Sequence, residues 1–109
     1  MNKYWNKENI PRSATKVVVA ICADKKRRDC ILKSGNVSVD TINSLTRLNT
    51  AISAAFECIE VGVRDILFSD ICTGTGYRFS DARTLVCQYG YYARKRTVIR
   101  NIAQQLNLI

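Results

Sequence analysis

Two cationic groups stand out among the residues whose types and spacing could do chemistry. Lys25, Lys26, Arg27 and Arg28 are consecutive, and Arg94, Lys95, Arg96 and Arg100 crowd together near the end of the chain. Cations at such density neutralise phosphates and release the counterions that a nucleic acid condenses around itself. Tyr89, Tyr91 and Tyr92, beside the second group, add flat faces on which bases can stack. The pattern predicts contact with DNA or RNA. The expected binding residues are Lys25, Lys26, Arg27, Arg28, Tyr89, Tyr92, Arg94, Lys95, Arg96 and Arg100.

The remaining residue types narrow the chemistry. The sequence has no histidine, which removes the commonest general base and the commonest zinc ligand. Cys22, Cys30, Cys58, Cys72 and Cys87 form an odd set at wide intervals with no Cys-x-x-Cys pair. They read as reduced, mostly buried thiols of a cytoplasmic chain. The first ten residues are polar and charged, and no later apolar run approaches membrane-spanning length, so neither export nor membrane insertion is expected. No cofactor or metal is expected, and the role expected is binding rather than catalysis.

The net charge of +8 hides a division along the chain. Residues 1–37 carry nine Lys or Arg and three acids, residues 38–81 three and six, and residues 82–109 five and none. The thirds are therefore +6, −3 and +5. Basic ends around an acidic middle suit a polyanionic partner. The same asymmetry also suits a second reading, an inhibitor or adaptor that docks on a charged protein.

Three motifs resemble known families in part. Cys72, Gly74 and Gly76 resemble half of the zinc knuckle of DnaJ-type domains, and Cys87 with Gly90 echoes it, but in both the partner cysteine is missing, with Ser at 69 and Thr at 84. Residues 97–106 resemble the first helix of a helix-turn-helix, and the sequence ends before a recognition helix. The order strand 17–24, helix 49–62 and strand 66–70, with Asp24 and the sequence Phe68-Ser69-Asp70, resembles ribonuclease H-like nucleases. That resemblance implies carboxylates holding divalent metal for phosphodiester cleavage. The sequence departs from the pattern at Asn49, where the family's helix carries Glu, and has no carboxylate after Asp81. A degenerate nuclease is thus the third reading.

These residues must be positioned by a fold, and the 109-residue length suits one domain. Residues 1–15 lack a sustained period and are expected to be a flexible tail, with Tyr4 and Trp5 its apolar bulk, followed by one domain over 16–109. The β-branched run from Lys16 suits a buried strand, and the segment ending at Lys33 suits a returning strand, so a β-hairpin with residues 25–28 in its loop is expected. Ile42, Leu45, Leu48, Ile52, Ala55 and Ile59 recur at three and four, predicting an amphipathic helix capped by Ser38 or Asp40 and stopping near Gly62. Residues 63–68 suit a further core strand. Leu85, Tyr89, Tyr92, Ile99, Ile102 and Leu106 predict a long basic last helix starting at Ser80 or Asp81, kinked or split in two at Gly90. The fold class expected is α+β, or a small α/β domain. The function expected is that of a small basic nucleic-acid-binding regulatory or accessory protein, of the kind phages and plasmids encode.

Overall fold

The computed structural model describes residues 10–109. It contains helices α1 (Arg12–Ala23), α2 (Lys25–Ser34), α3 (Val39–Ala55), α4 (Val61–Thr73) and α5 (Gln88–Gln105), with 3₁₀ turns at Tyr77–Phe79 and Asp81–Thr84 between α4 and α5. Among the described residues there is no strand, so the α+β expectation is overturned and the fold is all-α. The expected hairpin is α1 followed by α2, and the expected core strand over 63–68 lies inside α4. The strand–helix–strand order behind the ribonuclease H-like resemblance is absent for the same reason.

The run from Lys16 is apolar almost throughout, which hides its period. Ile10, Ala14, Val18 and Cys22 are buried at steps of four, while Val17 and Ala20 face outward. That stripe is helical. The helix penalty of a β-branched residue is about 0.5 kcal/mol, whereas burying one valine side chain contributes about 1.5–3 kcal/mol. Packing therefore decides the segment against its local β preference.

In α2, contacts three and four residues apart do the same work. Lys25 Nζ lies 2.7 Å from the Asp29 carboxylate, and Arg27 grips Asp24 through Nε and Nη2, each at 2.8 Å. A helix brings such spacings together. Only Asp24 separates α1 from α2, and its N–H still reaches the Ala20 carbonyl. Gly35, at φ 70°, ends α2 in the left-handed conformation that glycine adopts without a Cβ clash.

Ser38 caps α3, its Oγ accepting the Thr41 N–H at 3.2 Å. The helix follows the expected stripe but stops at Ala55, short of Gly62, which lies within α4. The chain turns over residues 56–60 and buries Phe56 and Ile59. Arg64 stabilises this turn: its Nε donates to the Ile59 carbonyl at 2.7 Å and its Nη2 to the Glu57 carbonyl at 3.1 Å. It thereby satisfies two carbonyls of the turn itself, beyond the end of α3.

The last helix also begins later than expected. Ser80 caps the second 3₁₀ turn, accepting the Ala82 N–H at 3.0 Å, and α5 starts at Gln88 with Cys87 Sγ accepting the Gly90 N–H. Gly90 sits in the first turn of α5 and divides nothing. The buried stripe is Tyr91, Val98, Ile99, Ile102 and Ala103, while Leu85 and Tyr89 of the expected stripe are exposed. Residues 97–105 are the second half of this one helix.

Helix α1 packs on α4 and α5, α3 packs on α5, and α2 leans on α3 and α1. Val18, Leu67, Ile71, Val98, Ile99 and Ile102 form the centre of the shared core. Residues 12–15 of the expected tail belong to α1, and Ile10 is in the core. Tyr4 and Trp5 lie outside the described residues. No described helix is long and apolar enough to cross a membrane.

Candidate functional site

The first cationic group is carried on the opening turns of α2, and its four members differ in what they can reach. Lys26 is exposed and makes no ion pair among the described residues. Lys25 and Arg27 form the surface pairs with Asp29 and Asp24. Hydrogen bonds from Arg27 and Lys25 hold the carboxyls of Asp24 and Asp29, respectively, below the usual carboxylate range.

Arg28 is buried, with 1% of its surface exposed. Its Nε donates to Asn49 Oδ1 at 2.9 Å, its Nη1 lies 3.6 Å from the Asp24 carboxylate, and its Nη2 has no hydrogen-bond partner among the described residues. Asn49 completes the link by donating to Asp29 Oδ1 at 2.9 Å. Arg28 and Asn49 thus join α2 to α3.

The same two helices carry further cations that the sequence reading did not single out. Arg12 and Lys16 sit one turn apart on α1, and Lys33 near the end of α2. All three are exposed and make no ion pair among the described residues. Together α1 and α2 carry seven cations and Asp29 as their one acid, with Asp24 at the junction, a net charge of +5 over residues 12–34. Both acids already accept from neighbours in the same stretch, so they shield little else.

The second group is split between surface and core. Arg94 reaches Glu60 at the start of α4, with Nη2 at 2.9 Å and Nε at 3.0 Å, and Nη1 donates to the Gly90 carbonyl at 3.0 Å. The hydrogen bond from Arg94 holds the Glu60 carboxyl below its usual range. Lys95 donates to the Thr75 carbonyl at 2.8 Å, with its ammonium 5.3 Å from the Tyr91 ring centroid and 5.9 Å from that of Tyr92. Burial pulls the Lys95 pKa down, opposed by the charge of Asp70. Arg96 is buried and Arg100 partly so. Tyr89 is about half exposed, whereas the Tyr92 hydroxyl accepts the Tyr77 N–H at 3.3 Å. Helix α5 therefore directs only part of its cationic stretch toward solvent.

A buried polar cluster beside Lys95 was missed entirely. Asp70 accepts hydrogen bonds from the hydroxyls of Ser80 and Tyr91, the latter at 2.8 Å. The Tyr91 hydroxyl also lies 3.1 Å from the Thr75 carbonyl. Burial, reinforced by the Asp70 carboxylate, pushes the Tyr91 phenol well above its ordinary pKa. The cluster fastens α4, the 3₁₀ turns and α5 to one another. Its signal in the sequence is the lone carboxylate among Ile66, Leu67, Phe68, Ile71 and Cys72, since an acid in such company must be satisfied internally.

The thiols are all free. Burial pushes the Cys22 thiol up to about 12, with Cys72 adding to the shift and Arg28 opposing it. Among the described residues, no three Cys, Asp or Glu side chains are grouped to hold a metal ion. Asp24 is engaged with Arg27, and Asp70 with Ser80 and Tyr91. Compared with protein families, with curated proteins and with solved structures, the chain matches none.

Proposed function

We propose that this protein is a small nucleic-acid-binding accessory protein that contacts phosphates chiefly through α1 and α2. The observation that carries the reading is the +5 charge of residues 12–34, where Arg12, Lys16, Lys26 and Lys33 are exposed and make no ion pair among the described residues. Lys25 and Arg27 add to the surface, because exposed pairs of their kind contribute little to stability and can be exchanged for a phosphate. On α5, Arg94 is the member of the second group best placed to join by the same exchange with Glu60. The reducing cytoplasm is the compartment we assign, consistent with five free thiols.

Affinity for a labelled single strand, measured across a salt series, tests the reading. Four phosphate contacts give a slope of log affinity against log salt of about −3. Absence of binding at low salt refutes the proposal.

A second reading, docking on an acidic protein, is favoured by one further feature. Phe79, Leu85 and Tyr89 are 75%, 55% and 52% exposed, and Arg78 and Arg83 lie in the same stretch, with Arg78 over the Phe79 ring. Capture of partners before and after nuclease digestion separates the two readings, since partners bridged by nucleic acid are lost on digestion.

A further inference from the structure

Between the start of α2, the end of α3 and the first half of α4 lies an open cavity of about 360 Å³. Phe56 and Phe68 supply its aromatic surface, with ring centroids 5.9 Å apart and planes inclined at 70°. Ile52 adds apolar wall, and Lys25, Ser53, Arg64 and Asp65 line the rest of it. Two of these polar groups have capacity to spare. Arg64 spends Nε and Nη2 on the Ile59 and Glu57 carbonyls, which fixes the guanidinium plane, and its Nη1 has no hydrogen-bond partner among the described residues. The Asp65 carboxylate is exposed and has no hydrogen bond or ion pair among them.

Aromatic surface, two cations and an unengaged carboxylate in one cavity match the parts of an unpaired nucleotide. Rings accept a base on their faces, cations accept its phosphate, and a carboxylate accepts N–H donors from the base edge. We propose that this cavity takes one unpaired base of a single strand, stacked on Phe68, with the flanking phosphate on Lys25 and Arg64 and the base edge read by Asp65. The inference rests on the nucleic-acid reading above, and Lys25 belongs to both surfaces.

The carboxylate also selects among bases. Guanine offers two adjacent donors, N1–H and the exocyclic N2–H, which a carboxylate accepts as a pair. Cytosine and adenine each offer an exocyclic amine. Thymine and uracil offer a single N–H between two carbonyl oxygens, which face the carboxylate with like charge. The site therefore prefers guanine and disfavours thymine and uracil.

The experiment measures anisotropy of labelled strands with the full chain: oligothymidine, the same strand with one central guanine, and a duplex of equal length. The guanine-containing strand is expected to bind about tenfold tighter than oligothymidine. Asp65→Asn, an exposed and shape-conserving change, is expected to abolish that preference. Phe68→Leu is expected to weaken single strands about tenfold and leave the duplex unchanged. If neither strand nor duplex binds at low salt, the nucleic-acid reading itself falls. If both bind with steep salt dependence but the guanine preference is absent, or persists in Asp65→Asn, only the base pocket is overturned.

Discussion

Replacing Arg28 separates the two things a buried arginine can contribute, its charge and its bulk. Arg28→Met keeps a long apolar stem. It removes the Nε bond to Asn49, which as a bond from a charged donor contributes about 1.5–3 kcal/mol, but it also removes the buried Nη2, whose lack of a partner costs about 1–3 kcal/mol. The 3.6 Å contact with the part-exposed Asp24 adds less than about 1 kcal/mol. These opposing effects leave Arg28→Met within about 2 kcal/mol of the parent, because the carboxylate left behind, Asp24, is part-exposed and can be solvated rather than stranded as a buried charge. Arg28→Ala suffers the same electrostatic changes and also empties the space between α2 and α3, where truncating a buried methionine-sized chain costs about 2–5 kcal/mol. With roughly 4–8 °C in Tm per kcal/mol for a domain of this size, the alanine variant should melt at least about 8 °C below the methionine variant. Thermal unfolding followed by circular dichroism reads the difference. Equal losses in both variants would refute the reasoning, because the guanidinium network would then be what joins α2 to α3.

Two further outcomes follow from the same geometry. The folded Cys22 thiol titrates at about 12 rather than the ordinary 9.0, so above pH 9 the unfolded chain releases a proton that the folded chain keeps, and stability falls by about 1.4 kcal/mol per pH unit from this group. Melting at pH 8 and pH 10 should therefore show a smaller alkaline loss in Cys22→Ala than in the parent; equal losses would contradict the burial assigned to the thiol. Glu60→Gln releases Arg94 and removes a negative charge, and single-strand affinity at low salt should rise about two- to threefold with Tm unchanged. A fall in affinity would show that Arg94 acts only through its partner.

The fold was legible where polar and apolar positions alternate along a helix. The stripe from Ile42 to Ala55 and the Ser38 cap could be read directly, because Asp40, Asn43, Ser44 and Arg47 mark the opposite face. In residues 17–23 no polar residue marks an outer face, so a stripe at steps of four looks like a buried strand. In α2 the four consecutive cations look like a turn until Asp24 and Asp29 are counted as their helical neighbours. The end of α3 was not legible, since the turn depends on Arg64, which lies beyond it in sequence. For the candidate site, the density of charge was visible but not its disposition. Arg28 and Arg96 are drawn inward and Lys95 is held by Thr75, whereas Arg12, Lys16 and Lys33, scattered in sequence, remain at the surface.

The packing of α1 has a consequence for how the chain emerges from the ribosome. Helix α1, which carries Val18 and Cys22, packs chiefly on α4 and α5, which are synthesised much later. Until they arrive, the β-branched segment 17–21 is uncovered, and such a segment invites pairing with its like in neighbouring nascent chains. Lys16 just before it, and Lys25 with Lys26 just after it, flank the segment with like charge, the kind of flank that opposes such pairing.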